Sequence, residues 1–299
     1  MKPTKQTFSD CLNPQFPHLL RHIRDVIEKA EKDFSKSNAS QKESYLWEHT
    51  CLVSNLAYEI CLLQQDPPLL PVIASLFHDT GKFHKGEYHG HDTPEEHISS
   101  QVANQILKKQ GMKQSQIDLV TSSLETLYDE NKPLTEIAKI VHDADFIAKS
   151  GHMGVAQFFI KSTLKGQTLI QSLLQSSSRE LTYGSVLPQN MKTKAGRKMA
   201  LHKKEVVLSF FEGLIRELNH HGAAHLEIKK KSWPCPRHPE KNIPISLVLP
   251  SVCPQCQEDM DVSHSTQNGL KCTQLVTNIR CKHCSWENQI SFCIPEICP

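Results

Sequence analysis

The sequence lacks any long apolar run. No stretch approaches the roughly 20 apolar residues that a membrane-spanning helix needs, and the opening segment MKPTKQT lacks the apolar core of a secretory signal. It also lacks an excess of one charge, since 34 Lys and Arg face 32 Asp and Glu. The charge balance therefore gives no electrostatic argument for a nucleic-acid or membrane partner. We expect a cytoplasmic protein that makes no membrane contact.

Cysteines are scarce in most of the chain and frequent at its end. Only three of the 11 cysteines precede Trp233, whereas the 17 histidines include a cluster between His78 and His97. In a reducing compartment, such a concentration of cysteines more often binds metal than forms disulfides. The 299 residues are enough for a main domain with an appended module. A histidine-rich centre and a cysteine-rich tail thus predict two separate metal chemistries.

Apolar residues recur at three- and four-residue spacing up to about residue 218, which predicts amphipathic helices. No segment before Trp233 alternates clearly enough for a strand. Turn-forming residues interrupt the pattern between Ser176 and Met191, where we expect a mobile loop over the functional pocket. The predicted helices are His18–Phe34, Tyr45–Leu63, Leu69–Phe77, Pro94–Lys109, Gln114–Leu127, Leu134–Ala148, Val155–Leu164 and Thr193–Leu218.

The composition changes near residue 222. Short apolar runs then follow at Ile243–Leu249, Leu275–Ile279 and Gln289–Phe292, separated by Cys and Pro, which is typical of a small β-rich module. The predicted fold is mainly α, a helical bundle followed by a small β-rich zinc-binding C-terminal domain. We divide the chain into an N-terminal tail (1–17), a helical domain (18–222), a linker (223–232) and a Cys-rich domain (233–299).

One His-Asp pair stands at the end of an apolar helix. His78 and Asp79 follow the segment LLPVIASLF, and Gly81 and Lys82 come soon after them. The glycine allows a sharp exit from the helix, and the lysine brings a cation to the same place. His49 lies on the inward side of an earlier predicted helix.

Two further acids, Asp143 and Asp145, stand in an apolar predicted helix, where a charge needs a partner such as a metal. In this order and at these separations, His49, His78-Asp79 and Asp145 resemble the motif of the HD-domain metal-dependent phosphohydrolases. The resemblance covers about residues 46–218 and implies an HD-type helical bundle. It also implies one divalent metal (Mn, Fe, Mg or Ni) on His49, His78, Asp79 and Asp145. Asp145 is preferred to Asp143 because the family's ligand precedes an apolar continuation.

The resemblance also implies a reaction, the hydrolysis of a phosphomonoester or phosphoanhydride by a metal-bound water, and the expected substrate is a nucleotide. Asp79 would both ligate the metal and accept the proton of the water, and Lys82 would neutralise a phosphate oxygen. Substrate contacts are expected from His91 or His97 and from Arg197. The segment SLETLY at 123–128 lacks a further histidine that many relatives carry, which favours one metal over two.

Two C-x-x-C pairs in the tail predict a structural zinc site. Four thiolates from Cys253, Cys256, Cys281 and Cys284 would close the coordination sphere, as in a zinc ribbon, with a redox dithiol as the alternative. Another half-site is suggested by Cys235 and His238, for which Cys272, Cys293 and Cys298 are candidate partners. Zinc ribbons commonly contact nucleic acid or protein, but the charges of this tail nearly cancel. A structural or protein-docking role is therefore at least as well supported.

Three functions remain open at this point. The first is the phosphohydrolase, with a small phosphorylated substrate. The second is an HD-type nuclease or cyclic-phosphate phosphodiesterase whose zinc ribbon guides RNA or DNA, and the third is a non-catalytic, metal-stabilised adaptor. We also expect truncation after about Asn219 to leave a folded, hydrolytic helical domain, because the two metal sites use different ligands.

Overall fold

A computed structural model describes residues 7–12, 15–37, 45–86, 93–129, 132–268 and 272–295. Its contacts divide the chain into two compact units. The first is Met1–Ala148 with Met191–Gly196, and the second is Lys149–Asn190 with Arg197–Pro299. The predicted boundary near residue 222 thus falls inside the second unit.

The first unit is built from helices. They are α1 (Phe8–Leu12), α2 (Leu19–Ser37), α3 (Tyr45–Gln64), α4 (Leu69–Phe77), α5 (Glu95–Lys109), α6 (Gln114–Thr126) and α7 (Glu136–Ala148), with a 3₁₀ turn at His84–Gly86. The core lies around α4, which is buried from Pro71 to Phe77 and packs against α3, α6 and α7. Burying each Leu, Ile or Phe side chain there stabilises the unit by about 1.5–3 kcal/mol. The helical bundle predicted from the periodicity is confirmed.

The second unit combines helices with two antiparallel sheets. Its helices are α8 (Gly151–Leu164), α9 (Leu169–Ser172), α10 (Ser178–Asn190) and α11 (Lys194–His220), whose first turn belongs to the first unit, and a π-helical turn spans Leu173–Ser177. The strands are β1 (Leu226–Pro234), β2 (Asn242–Pro250), β3 (Met260–Asn268), β4 (Thr273–Cys281) and β5 (Glu287–Cys293). β1 pairs with β2, and β3, β4 and β5 form a sheet in that order. A small β-rich C-terminal part was predicted and is confirmed.

The mobile loop predicted between Ser176 and Met191 is wrong, since most of this segment is α10. The helix is held by the β2 strand beside it. Ser178 Oγ accepts a hydrogen bond from Val248 N at 2.9 Å, and Thr182 Oγ1 accepts one from Ser246 N at 3.0 Å. The hydroxyl side chains that suggested turns thus satisfy backbone groups at the open edge of β2.

Two other predictions about the tail are also wrong. Residues 223–232 are not a linker, because β1 begins at Leu226, and a strand therefore does start before Trp233. The three lysines at 229–231 do not alternate with apolar residues, and the strand forms because β2 pairs with it along its whole length.

The β2 strand is buried on both faces. Ile243, Ile245, Leu247 and Leu249 pack in one cluster with residues of β4 and β5. Val248, on the opposite face, packs in another cluster with Phe158 of α8 and Phe211 of α11. The tail and the helices of the second unit therefore share their apolar cores, contrary to the expectation that the tail is separable.

Candidate metal centre

Four side chains from three helical segments converge in the first unit. His49 lies on α3, His78 and Asp79 directly follow α4, and Asp145 lies on α7. All four are buried, with exposed fractions between 1% for Asp145 and 8% for His49 and Asp79. His49 Nε2 is 3.1 Å from Asp145 Oδ1 and 3.8 Å from Asp79 Oδ2. His78 Nε2 is 3.5 Å from Asp79 Oδ2 and 3.8 Å from Asp145 Oδ1.

The chain leaves α4 through a tight turn that fixes Asp79. Gly81 N donates to Ser99 Oγ at 2.9 Å, and Ser99 Oγ donates to the His78 carbonyl at 3.2 Å. A Cβ atom on Gly81 would lie 2.3 Å from the carbonyl oxygen of Glu95. Only glycine fits this close approach of α5, which explains its place two residues after Asp79.

The tautomer of His78 is set by the backbone. Its Nδ1 lies 2.6 Å from the Ser75 carbonyl oxygen, which can only accept, so Nδ1 carries the proton. In the neutral ring, the buried Nε2 then presents a lone pair toward the two carboxylates. A lone pair facing two anions is unfavourable unless a cation lies between them, which is the arrangement of a metal-binding histidine.

The donor spacing fits a divalent ion. Bonds of about 2.1 Å place neighbouring ligand atoms about 3.0 Å apart at right angles and about 3.4 Å apart at tetrahedral angles. The four His-to-Asp separations run from 3.1 to 3.8 Å. Each imidazole therefore lies from each carboxylate at about the separation of two ligands on one ion, and His49, His78 and Asp79 form a mutually close group of donors.

Lys82 points back at this cluster. Its Nζ donates to Asp79 Oδ2 at 2.8 Å, and its side chain is only 14% exposed. The contact places a cation next to a proposed ligand, where it can also reach an anion bound at the centre.

Tyr128 also reaches the centre, a role that the sequence analysis missed. Its hydroxyl donates to Asp145 Oδ2 at 2.5 Å. Burial, followed by the negative charges of Asp145 and Asp79, raises the pKa of Tyr128 well above its usual value, so the hydroxyl keeps its proton. No local pattern marks this tyrosine, because its distance from Asp145 depends on how α6 and α7 pack.

A cavity of about 420 Å³ adjoins the centre at Tyr128. His97, one of the predicted substrate contacts, lies in its wall, with Nδ1 3.4 Å from Glu125 Oε1. The other lining residues are Pro94, Glu96, Glu125, Asp129 and Lys132. His91 lies outside the described residues, and Arg197 belongs to the second unit, so both contacts stay predictions.

Asp143, the acid that was not chosen as a ligand, has a different set of partners. Its Oδ1 accepts from Lys192 N and its Oδ2 from Thr193 N, both at 2.8 Å. Thr193 Oγ1 donates to Oδ2 at 2.7 Å and accepts from Gly196 N at 2.9 Å, which caps the first turn of α11. Asp143 is thus engaged in fixing the segment 191–196.

The second cluster, in the tail, consists of four cysteines. Cys253 Sγ and Cys284 Sγ are 3.6 Å apart, and Cys256 Sγ and Cys281 Sγ are 3.4 Å apart. Tetrahedral zinc with bonds of about 2.3 Å requires sulfur separations of about 3.8 Å, close to these values. Although desolvation raises the pKa of Cys281, the backbone N–H groups of His283 and Cys284 directed at its sulfur lower it to about 6.

The second zinc half-site is not formed as predicted. Cys293 is disulfide-bonded to Cys272, so it offers no thiolate to an ion. His238 is largely exposed, with Nδ1 3.5 Å from Glu240 Oε1, and Cys298 lies outside the described residues. Among the described residues, the mutually close groups of donors that could hold a metal are the four cysteines and the three residues His49, His78 and Asp79.

Comparison with known proteins agrees with this geometry. Residues 46–149 match the family model of the HD domain. YpgQ from Bacillus subtilis superposes with a TM-score of 0.51 at 19% identity, covering 69% of this chain and 96% of that chain. Its crystal structure in complex with ADP gives 0.50 at 20% identity, covering 69% and 96%. No curated protein matches the chain.

A third similar structure is a predicted HD superfamily hydrolase from an uncultured Thermotogales bacterium, with 18% identity, a TM-score of 0.49, and coverage of 68% of this chain and 92% of that one. The family match and the buried His-Asp centre agree: residues 46–149 carry an HD domain, which supports a metal-dependent hydrolase. None of the helices in the described part of the chain has the length and hydropathy to cross a membrane.

Proposed function

We propose that the protein hydrolyses a phosphomonoester or phosphoanhydride bond of a nucleotide at one divalent ion, held by His49, His78, Asp79 and Asp145. The observation that carries the proposal is the approach of two buried imidazole nitrogens to two buried carboxylates, with the four His-to-Asp separations between 3.1 and 3.8 Å. Histidine and carboxylate ligands leave coordination positions open, which suits catalysis better than a purely structural role.

A divalent ion would supply Lewis acidity and lower the pKa of a water molecule toward neutrality. The surrounding residues complete the chemistry. Asp79 lies where a carboxylate can accept a proton, and Lys82, 2.8 Å from it, lies where a cation can stabilise charge on a phosphate oxygen. In the absence of substrate, the Asp79 carboxylate keeps Lys82 directed at the centre.

Two observations support a nucleotide as the substrate. YpgQ shares the fold at 20% identity, and one of its crystal structures is a complex with the nucleotide ADP. The cavity of about 420 Å³ beside Tyr128 is large enough for a base or a sugar and lies next to the candidate centre. His97, in the wall of this cavity, is proposed as a substrate contact.

For the cysteine cluster, we propose a structural zinc ion. Four thiols close to tetrahedral spacing leave no position for water, so this ion would stabilise the tail and take no part in hydrolysis. Backbone N–H groups directed at Cys253 and Cys281, at 3.3–3.4 Å, favour the thiolate form that zinc needs.

The hydrolysis is tested with a panel of nucleoside mono-, di- and triphosphates, cyclic nucleotides and short RNA and DNA strands. Each is assayed with Mn²⁺, Mg²⁺, Fe²⁺ and Ni²⁺. We expect phosphate release from a nucleotide, and a decrease of about 100-fold or more in Asp79→Asn. Asp118→Asn, an exposed acid on α6, is the matched control and should keep full activity.

Cleavage restricted to oligonucleotides or cyclic nucleotides would contradict the proposal in favour of the nuclease or phosphodiesterase. Full activity of Asp79→Asn would show that the reaction takes place elsewhere.

A further inference from the structure

The two carboxylate oxygens of Asp145 face different groups. Oδ1 lies 3.1 Å from His49 Nε2 and 3.8 Å from His78 Nε2, on the side of the candidate metal. Oδ2 accepts the hydrogen bond of the Tyr128 hydroxyl at 2.5 Å. The carboxylate thus presents one oxygen to the centre while the phenol holds the other.

A buried aspartate needs such support. Asp145 is 1% exposed, so solvent cannot stabilise one orientation of its carboxylate over another. Rotation about the last side-chain bond would turn both oxygens relative to the two imidazoles. The charge-assisted hydrogen bond from Tyr128 to Oδ2 restrains this rotation, and its loss would leave a buried acceptor without that donor.

The tyrosine is suited to this task by its position. It follows the end of α6 and is 40% exposed overall, although its hydroxyl reaches the buried carboxylate. The rest of the side chain lines the cavity that also contains His97 and Glu125. Removal of the hydroxyl therefore changes the support of Asp145 without emptying a packed core.

We propose that Tyr128 is a positioning residue of the metal centre, which orients Asp145 so that Oδ1 faces His49 and His78. This inference rests on the proposed function in one respect only, the assignment of Asp145 as a metal ligand. It assigns no contact between Tyr128 and the reacting atoms. Hydrogen-bonded partners of metal ligands typically change affinity for the ion by about 10- to 100-fold when removed.

The test compares wild-type full-length protein with Tyr128→Phe, which keeps the ring and removes the hydroxyl. Metal-free samples are titrated with Mn²⁺ by calorimetry, and thermal unfolding is recorded with and without Mn²⁺. The control is Tyr58→Phe, a buried tyrosine on α3 outside the centre. We expect the Kd for Mn²⁺ at the HD centre to rise about 10-fold or more in Tyr128→Phe and to stay unchanged in Tyr58→Phe.

The same expectation applies to stability. The metal-free Tm of Tyr128→Phe should fall, because a buried acceptor loses its donor, and the increase in Tm produced by Mn²⁺ should also be smaller than in wild type. A Kd within twofold of wild type, or a lowered metal-free Tm with an unchanged Kd, would overturn the positioning role. Failure of the proposed function is seen separately. If the wild-type protein binds Mn²⁺ but hydrolyses no nucleotide, the proposed function fails and the positioning role of Tyr128 stands. If it binds no Mn²⁺ at the HD centre, both proposals fail.

Discussion

Asp143 and Asp145 lie two residues apart on α7 and have different partners. Asp145 Oδ1 is 3.1 Å from His49 Nε2, whereas Asp143 Oδ2 accepts the Thr193 amide at 2.8 Å. The DAD motif therefore combines a candidate metal ligand with a carboxylate that fixes the start of α11. The second role is independent of any metal and can be tested by stability alone.

Gly196 lies directly against Asp143. A Cβ atom there would be 2.2 Å from Asp143 Oδ2, so we expect Gly196→Ala to destabilise the protein by about 1–3 kcal/mol. Gly213, on the same helix, has no atom within 4 Å of an added Cβ. Gly213→Ala should therefore stabilise by about 0.5–1 kcal/mol through helix propensity. Urea unfolding measures the change in the free energy of unfolding for both variants. If the two changes had the same sign, the close contact between Gly196 and Asp143 would be contradicted.

The zinc assignment predicts a selective loss of metal. The double variant Cys253→Ser/Cys281→Ser lacks one thiolate of each C-x-x-C pair. Elemental analysis of this variant should show that the zinc is lost while the ion of the HD centre remains. Cys51→Ser, which changes a thiol on α3 far from the cluster in sequence, is the control and should retain both metals. Retention of zinc by the double variant would exclude these ligands.

Truncation after Asn219 is expected to damage the protein, opposite to what the sequence suggested. It removes Leu226 and Val248, which pack in one cluster with Phe158, Leu181 and Phe211. Exposure of each large apolar side chain costs about 1.5–3 kcal/mol, so the fragment should aggregate or unfold at a clearly lower temperature than the full chain. A soluble fragment with the Tm of the intact protein would show that the shared core is dispensable.

His264 predicts a dependence of stability on pH. Burial, together with the cations of Lys231 and Lys229, lowers the pKa of His264 below the ordinary 6.5. The unfolded chain then binds the proton more readily, so the contribution of this group is fully present above pH 6.5 and is lost as the pH falls below it. Between pH 5 and 8, the urea midpoint should decrease less with falling pH in His264→Gln than in wild type, because glutamine does not bind a proton in this range.

Much of the helical unit could be predicted from the sequence, because its signals are local. The apolar segment at Leu69–Phe77 is a helix with those bounds, and α3 and α7 lie within two residues of their predicted starts and ends. Apolar periodicity is produced by burial on one side of each helix, and that pattern survives in the sequence whatever the helix packs against. The same is true of the two C-x-x-C pairs, whose spacing is set by the turn itself.

The segments that were predicted wrongly depend on distant partners. The α10 helix contains Ser, Gly and Pro, yet it is stabilised by Ser178 and Thr182 against β2. The β1 strand carries three consecutive lysines and is formed through its pairing with β2. Local propensity differences amount to about 1 kcal/mol per residue or less, and tertiary hydrogen bonds and packing outweigh them.

The order His49, His78-Asp79, Asp145 was determined by the sequence alone, and it was sufficient to indicate the class of chemistry. Only the tertiary structure decided what surrounds these residues. The distance from the Tyr128 hydroxyl to Asp145, the return of Lys82 to Asp79 and the use of Asp143 by Thr193 depend on packing between helices and turns. Residue type and order indicate which side chains are the candidate ligands. The orientation of those side chains depends on contacts between segments that are distant along the chain, and a local sequence pattern does not reveal such contacts.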